Sequence, residues 1–298
     1  MTRWTIGAAL AALAAAATAQ EASFRLDASR DSDRFRELHT SAGYRAAAGF
    51  GLEAASRQYR APGWGENGAL LAATYRRQLA TLQIDARLGA LHLAERQRAV
   101  AAVDALWAPL DGSAVGLSFE RDIVNSQAAI DAGVTQNTVA LVADHAFTAR
   151  FNVGLAAGAT RFSNDNTRPF LRTRWNLEIV PDVGLNAYLK TRSYRNREPN
   201  QAEYFSPERL NEVSAGLSSR FVVTEGLVLA LAADLGRQHT EAGSQRIWSY
   251  TLRLASPRRS ALQWSVGLQA STAAGTSQAD ASASYRYTSA VAQLSVPF

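Results

Sequence analysis

The chain has no cysteine, which excludes disulfides, thiol nucleophiles and thiolate-bound metals together. Lysine is almost absent: Lys190 is the sole one, so the net charge of +5 is carried by arginine. Those arginines are scattered singly, with no basic helix and no aromatic-basic cluster, an arrangement that argues against a nucleic-acid partner. After the first twenty or so residues no apolar run reaches the ~18 residues of a membrane-crossing helix. No Gly-x-Ser-x-Gly elbow is present either.

What the chain has instead is alternation. In Leu82-Gln-Ile-Asp-Ala-Arg-Leu-Gly-Ala, Leu82, Ile84, Ala86, Leu88 and Ala90 face one way and Gln83, Asp85, Arg87 and Gly89 the other. A helix would mix the two sets on every face. Such segments recur over 23–33, 35–45, 49–60, 67–77, 80–93, 98–107, 113–124, 137–147, 149–163, 169–180, 182–195, 209–222, 225–240, 245–256, 260–272 and 280–298. The fold class is therefore all-β, a transmembrane antiparallel up-and-down barrel of about sixteen strands. Twelve to fourteen remain open, because 98–107 also reads as a helix and the first two segments are polar. A mean hydropathy of −0.15 with 47% hydrophobic residues is what an inside-polar, outside-apolar wall averages to.

Both ends agree. Arg3, the apolar run from Trp4 to Ala17 and the small residues Ala17-Thr18-Ala19 predict a cleaved secretory signal peptide over 1–19, with the barrel occupying 20–298. The last segment puts Ala292, Leu294, Val296 and Phe298 on one face, so Phe298 is expected to form the assembly signal read by the barrel assembly machinery. Outer-membrane lipids and lipopolysaccharide are then the surroundings, and the cell outer membrane the location.

The connections sort by parity. Links 78–79, 147–148, 180–182, 223–226 and 256–259 are short, whereas 61–66, 125–136 and above all 196–208 are longer, as expected of inner turns and outer loops. The loop 196–208 carries Tyr204, Phe205 and Pro207, which are expected either to fold inward as a constriction or to join the upper aromatic girdle. Trp64, Trp107, Trp175, Trp248 and Trp264 are expected in the girdles.

Strand parity also nominates lumenal residues. Glu120 and Asp122, at i and i+2, share one face; they suit acid–base work or calcium, but neutralising lumenal arginines is the stronger reading. Arg172, Arg174 and Glu178 on one strand, Tyr188, Lys190 and Arg192 on the next, and Glu212 and Arg220 on the third form a wall of charges and tyrosine. It serves either ion and sugar passage or mere filling of the barrel. His39, His92, His145 and His239 lie on separate segments, and sequence places none of them beside a serine and a carboxylate. No catalytic residue, metal or cofactor is expected.

From about residue 116 onward three ordered pieces carry a family resemblance: Phe119-Glu-Arg-Asp-Ile-Val124 followed by Ala132-Gly-Val134, then Thr160-Arg-Phe-Ser-Asn-Asp-Asn166, then Tyr204-Phe-Ser-Pro-Glu-Arg-Leu210. Together they resemble the YaiO-like outer-membrane barrels and the C-terminal barrels of exopolysaccharide export porins, such as those for poly-N-acetylglucosamine and cellulose. The resemblance implies a non-catalytic passage or docking site for polysaccharide. Those porins carry helical repeats of about 34 residues that have no counterpart in this sequence, so the resemblance implies either a separate periplasmic scaffold protein or a place among the lone barrels of that family. The alternatives are an outer-membrane lipid or lipopolysaccharide hydrolase, and a closed structural or adhesive barrel.

Overall fold

The computed structural model describes residues 19–257, 260, 262–273 and 285–297. Nearly all of the proposed signal peptide, together with Phe298, lies outside them. Sixteen strands are found among the described residues. The first eight are β1 (Ala19–Asp31), β2 (Arg36–Ala46), β3 (Phe50–Ala61), β4 (Trp64–Gln78), β5 (Leu82–Leu93), β6 (Arg96–Leu110), β7 (Ser113–Ile123) and β8 (Thr135–Ala146). The second eight are β9 (Phe151–Phe162), β10 (Thr167–Val180), β11 (Leu185–Arg195), β12 (Arg209–Thr224), β13 (Leu227–Thr240), β14 (Gly243–Ala255), β15 (Gln263–Ser271) and β16 (Tyr287–Pro297). One short helix, α1 (Gln127–Ala132), interrupts the series.

Each strand pairs antiparallel with its chain neighbours, and β1 meets β16 in a register running from Glu21 opposite Pro297 to Asp31 opposite Tyr287. The barrel is thus closed, so no row of backbone N–H and C=O groups faces hydrocarbon. Every segment expected from alternation overlaps one strand. The stretch 98–107 is β6, not a helix: Val100, Ala102 and Asp104 stand on the inner face with Gly89, Arg87 and Asp85 beside them, and Val103 and Trp107 stand outside.

One connection differs from expectation. The link 61–66 is only the turn Pro62-Gly63, with Ala61 opposite Trp64. Proline fixes its own φ and Gly63 takes +72°, which allows a two-residue reversal. Trp64 consequently lies on the inward parity of β4 and not in a girdle. Its ring stacks near Phe35 at 6.2 Å and its indole N–H donates to Asp131 of α1 at 2.9 Å. The long connections 124–134, 196–208 and 272–286 nevertheless all leave the same end of the barrel, taken as the outer one.

Large apolar side chains cover the outside, among them Leu88, Val103, Leu141, Leu177, Leu217 and Leu235. The inside divides into two unlike halves. Between β2 and β7 the inward residues Leu70, Ala72, Leu91, Leu93 and Val100 join Phe35, Tyr59, Ile130 and Ile123 at the end of β7 in a buried apolar cluster. The helix caps it. Ser126 Oγ accepts from the Ala129 N–H, Gly133 ends the helix at φ +82°, and Ile130 points into the cluster. Where this cluster lies the wall is apolar on both sides, and the interior behaves as a packed core. Toward the inner end the ion pairs Arg45–Glu21, Arg87–Glu53 and Arg76–Asp85 instead border a small polar cavity of about 190 Å³.

The turn between β5 and β6 is Ala94-Glu95, and both residues have positive φ, 50° and 57°. Two left-handed residues make a type I′ hairpin, for which glycine is suited at the second position and an L side chain costs about 1 kcal/mol. Glu95 is exposed. Glu95→Gly should therefore raise the stability of the folded barrel by about 1 kcal/mol, read from its urea unfolding midpoint in detergent; an unchanged midpoint would mean that this turn carries no strain.

Candidate functional site

A polar belt bounds the apolar half. Arg57 on β3 reaches across to β7, donating from both terminal nitrogens to the two oxygens of Asp122 at 2.7 and 2.9 Å. Beside it His39 and Tyr59 share a 3.1 Å hydrogen bond, and Asn125 donates to Glu37 at 3.0 Å. Asp122 is thus committed to Arg57. Glu120 lies on the same face, opposite Thr138 and Ala102, and no ion pair within 4 Å reaches it among the described residues.

Beyond this belt lies a cavity of about 760 Å³ whose wall includes Arg172, Arg174, Lys190, Arg192, Glu212 and Asp234, with Tyr285 and Tyr287 from the β16 side. Its basic groups come from registered pairs: Arg172 stands opposite Arg192, and Arg174 opposite Lys190. Two of the four are neutralised by later strands. Arg192 donates to Glu212 of β12 at 2.6 Å, and Lys190 to Asp234 of β13 at 2.7 Å.

Asp234 also accepts from the Tyr188 hydroxyl at 2.9 Å and from Ser249 at 2.6 Å. A buried carboxylate with three donors has its charge satisfied. The span from β11 to β13 is possible because Gly216 occupies the lumenal position between them: a Cβ there would lie 2.6 Å from Asp234 Cβ and 2.8 Å from Tyr188 Cζ.

Of the remaining wall residues, Glu178 faces Asn186 toward the inner end. Arg220 borders a second cavity of about 430 Å³, shared with Arg253, Gln263, Gln293 and Ser295. The expected wall is therefore split between two chambers.

The segment 196–208 packs on the rim of the barrel. Tyr204 is fully buried, stacked on Phe162 at 4.3 Å, its hydroxyl donating to Asn164 at 3.1 Å and accepting from Asn166 at 3.1 Å. Burial pushes this hydroxyl above its ordinary pKa. Phe205 packs on Leu210 and Tyr194, and the Pro207 carbonyl accepts from Asn196.

Arg168 holds this assembly. It donates to Asn196 at 2.8 Å and to the Phe205 carbonyl at 2.7 Å, among the rings of Phe162, Tyr194 and Tyr204. Ser126 of the neighbouring loop donates to the Glu203 carbonyl. Neither Tyr204, Phe205 nor Pro207 lines the 760 Å³ cavity. The aromatics that sequence offered for a constriction are used to fix the loop.

Among the described residues one serine–histidine hydrogen bond is found: Ser113 Oγ and His145 Nδ1 lie 2.9 Å apart. Their parity places them on the outside of the barrel, near the inner rim. The contact uses Nδ1, the nitrogen that an orienting carboxylate holds in a catalytic triad.

Sequence reasoning missed Arg57, Arg168, Asp234 and Ser249. Parity alone marks Arg57, Asp234 and Ser249 as lumenal. What no single strand shows is which of them meet.

No family model matches the chain, and no curated protein matches it. Solved structures do. A structure described as a bacterial polysaccharide outer membrane secretin superposes with a TM-score of 0.73 at 13% identity, covering 93% of this chain and 98% of that one. CdiB from Acinetobacter baumannii gives a TM-score of 0.53 at 10% identity over 92% of this chain and 60% of its own. At such identities the likeness is one of fold: this is an outer-membrane β-barrel fold, shared with a polysaccharide secretin barrel.

Proposed function

We propose that the chain resides in the outer membrane and forms a passage or docking site for an exported polysaccharide, with no catalysis of its own. The observation that carries the reading is the asymmetry of the lumen. The β2–β7 half is filled by apolar side chains toward its outer end and leaves only about 190 Å³ at its inner end, whereas the other half holds a polar cavity of about 760 Å³ at the outer end and one of about 430 Å³ at the inner end. Between them the inward residues of β12 to β16 include Ser218, Ala230, Ala232, Gly267 and Ser289, beside Thr251, Gln269 and Val291. Several small side chains along one wall leave room for a hydrated chain, and polar groups with aromatic faces suit sugar rings.

The resemblance of 116–298 to YaiO-like and export-porin barrels supports the same reading, as does the fold shared with a polysaccharide secretin barrel. A separate periplasmic scaffold would complete the export route.

Single-channel recording of the purified barrel in a planar bilayer tests it. Steady conductance, interrupted by added oligosaccharide, is expected. No current from the intact barrel, and none after residues 197–207 are replaced by a short glycine-serine link, would overturn the passage.

A further inference from the structure

We propose that Arg172 and Arg174 form a subsite for the carboxylates of an acidic saccharide. The inference rests on the passage reading for its setting, and the cavity for its chemistry. In an antiparallel pair, like charges placed directly opposite are destabilising. Here two successive inward positions of β10 and β11 both set cation against cation, Arg172 with Arg192 and Arg174 with Lys190.

On the β11 side the repulsion is relieved by Glu212 and Asp234. On the β10 side no carboxylate pairs with either cation: among the described residues none lies within 4 Å of Arg172 or Arg174, although Glu37, Asp144 and Glu212 border the same cavity and Glu212 attracts Arg172 from farther off.

Ring faces hold these two guanidiniums in place. Arg174 lies 4.3 Å from the centre of the Tyr188 ring and Arg172 5.0 Å from that of Phe170. Stacking on a ring uses the face of a guanidinium and leaves its in-plane N–H donors free. Of those donors Arg174 uses only Nε, on Asn176 Oδ1 at 2.8 Å, and Arg172 uses none within the described residues. Both side chains are exposed to the cavity. Two oriented, unsatisfied forks two residues apart along a strand match a planar carboxylate, which each can grip through paired N–H···O bonds. Tyr287, which is part-exposed and borders the same cavity, offers surface to the sugar rings.

Calorimetric titration of the detergent-solubilised full chain tests the subsite, with hexagalacturonate as the acidic probe, maltohexaose as a neutral chain of equal length and inorganic phosphate as a simple anion. Hexagalacturonate should bind, more weakly as salt rises, and should lose about tenfold or more in affinity in R172Q/R174Q, since two charge-assisted contacts are removed. R237Q, at an exposed arginine on the outward parity of β13 opposite Val213, should leave binding unchanged. If the double glutamine variant fails to fold by heat-modifiable migration, R172K/R174K, which keeps both charges but not the planar fork, should still weaken binding several-fold.

Equal binding of maltohexaose, equal binding of phosphate, or full affinity in the arginine variants would overturn the subsite. Bilayer recordings on the same preparation separate the two proposals. Current without uronate binding ends the subsite and leaves the passage, and uronate binding without current ends the passage and leaves the subsite.

Discussion

Replacing Asp122 by alanine should cost the barrel about 3–5 kcal/mol, the range for stranding one partner of a buried ion pair. The Arg57 side chain is 7% exposed and that of Asp122 16%, so the guanidinium left behind would face the apolar cluster of Tyr59, Leu70 and Ile123 without its hydrogen-bonded counter-charge. The effect should reach beyond stability. Arg57–Asp122 ties β3 to β7 across the filled half, and the helix above it is held by Ile130 in that cluster and by Asp131 on Trp64. The D122A barrel should therefore show larger and noisier conductance than the parent, as the filled half loosens. Arg57→Met combined with Asp122→Leu should recover most of the loss, because an apolar pair of similar volume is often as good as the ion pair it replaces. Urea unfolding in detergent measures all three proteins; a D122A midpoint equal to that of the parent would show that the bridge contributes nothing.

The second large effect concerns the two faces of β11. Ala187 stands between Leu177 and Leu217, both half-exposed on the outer wall, whereas Asn186 faces Glu178 and Ser218 on the inside. Ala187→Arg should cost about 2–4 kcal/mol if the position lies near the bilayer midplane, since the charge must enter hydrocarbon. Asn186→Arg should cost much less, because its side chain enters the lumen. The comparison is made by folding titration into lipid vesicles. Similar losses at the two positions would contradict the facing assignment.

Alternation, turn chemistry and loop parity are properties of neighbours in the chain, and each of them was legible. Leu82 to Ala90 determined both the strand and its two faces, because the side-chain period of a strand is two whatever surrounds it. The same rule put Arg172, Arg174, Lys190 and Glu212 on the inner wall. It misled at the link 61–66, where one turn does the work of a loop and Trp64 belongs to the interior.

What fills the inside was not legible. Leu91 and Leu93 continue the inward parity of Arg87 and Gly89, yet only closure of the barrel brings them against Phe35 and Ile130. The partners of Lys190 and Arg57 likewise depend on which residues of non-neighbouring strands share a level, a matter of strand tilt and stagger around the ring. Lys190 finds Asp234 over Gly216, and Arg57 finds Asp122 across three intervening strands. The fate of Tyr204 was decided by Arg168, Asn166 and Phe162, which lie on the rim of other strands. A one-dimensional period specifies which side of the wall a residue is on; distances across a lumen exist only once the wall has closed.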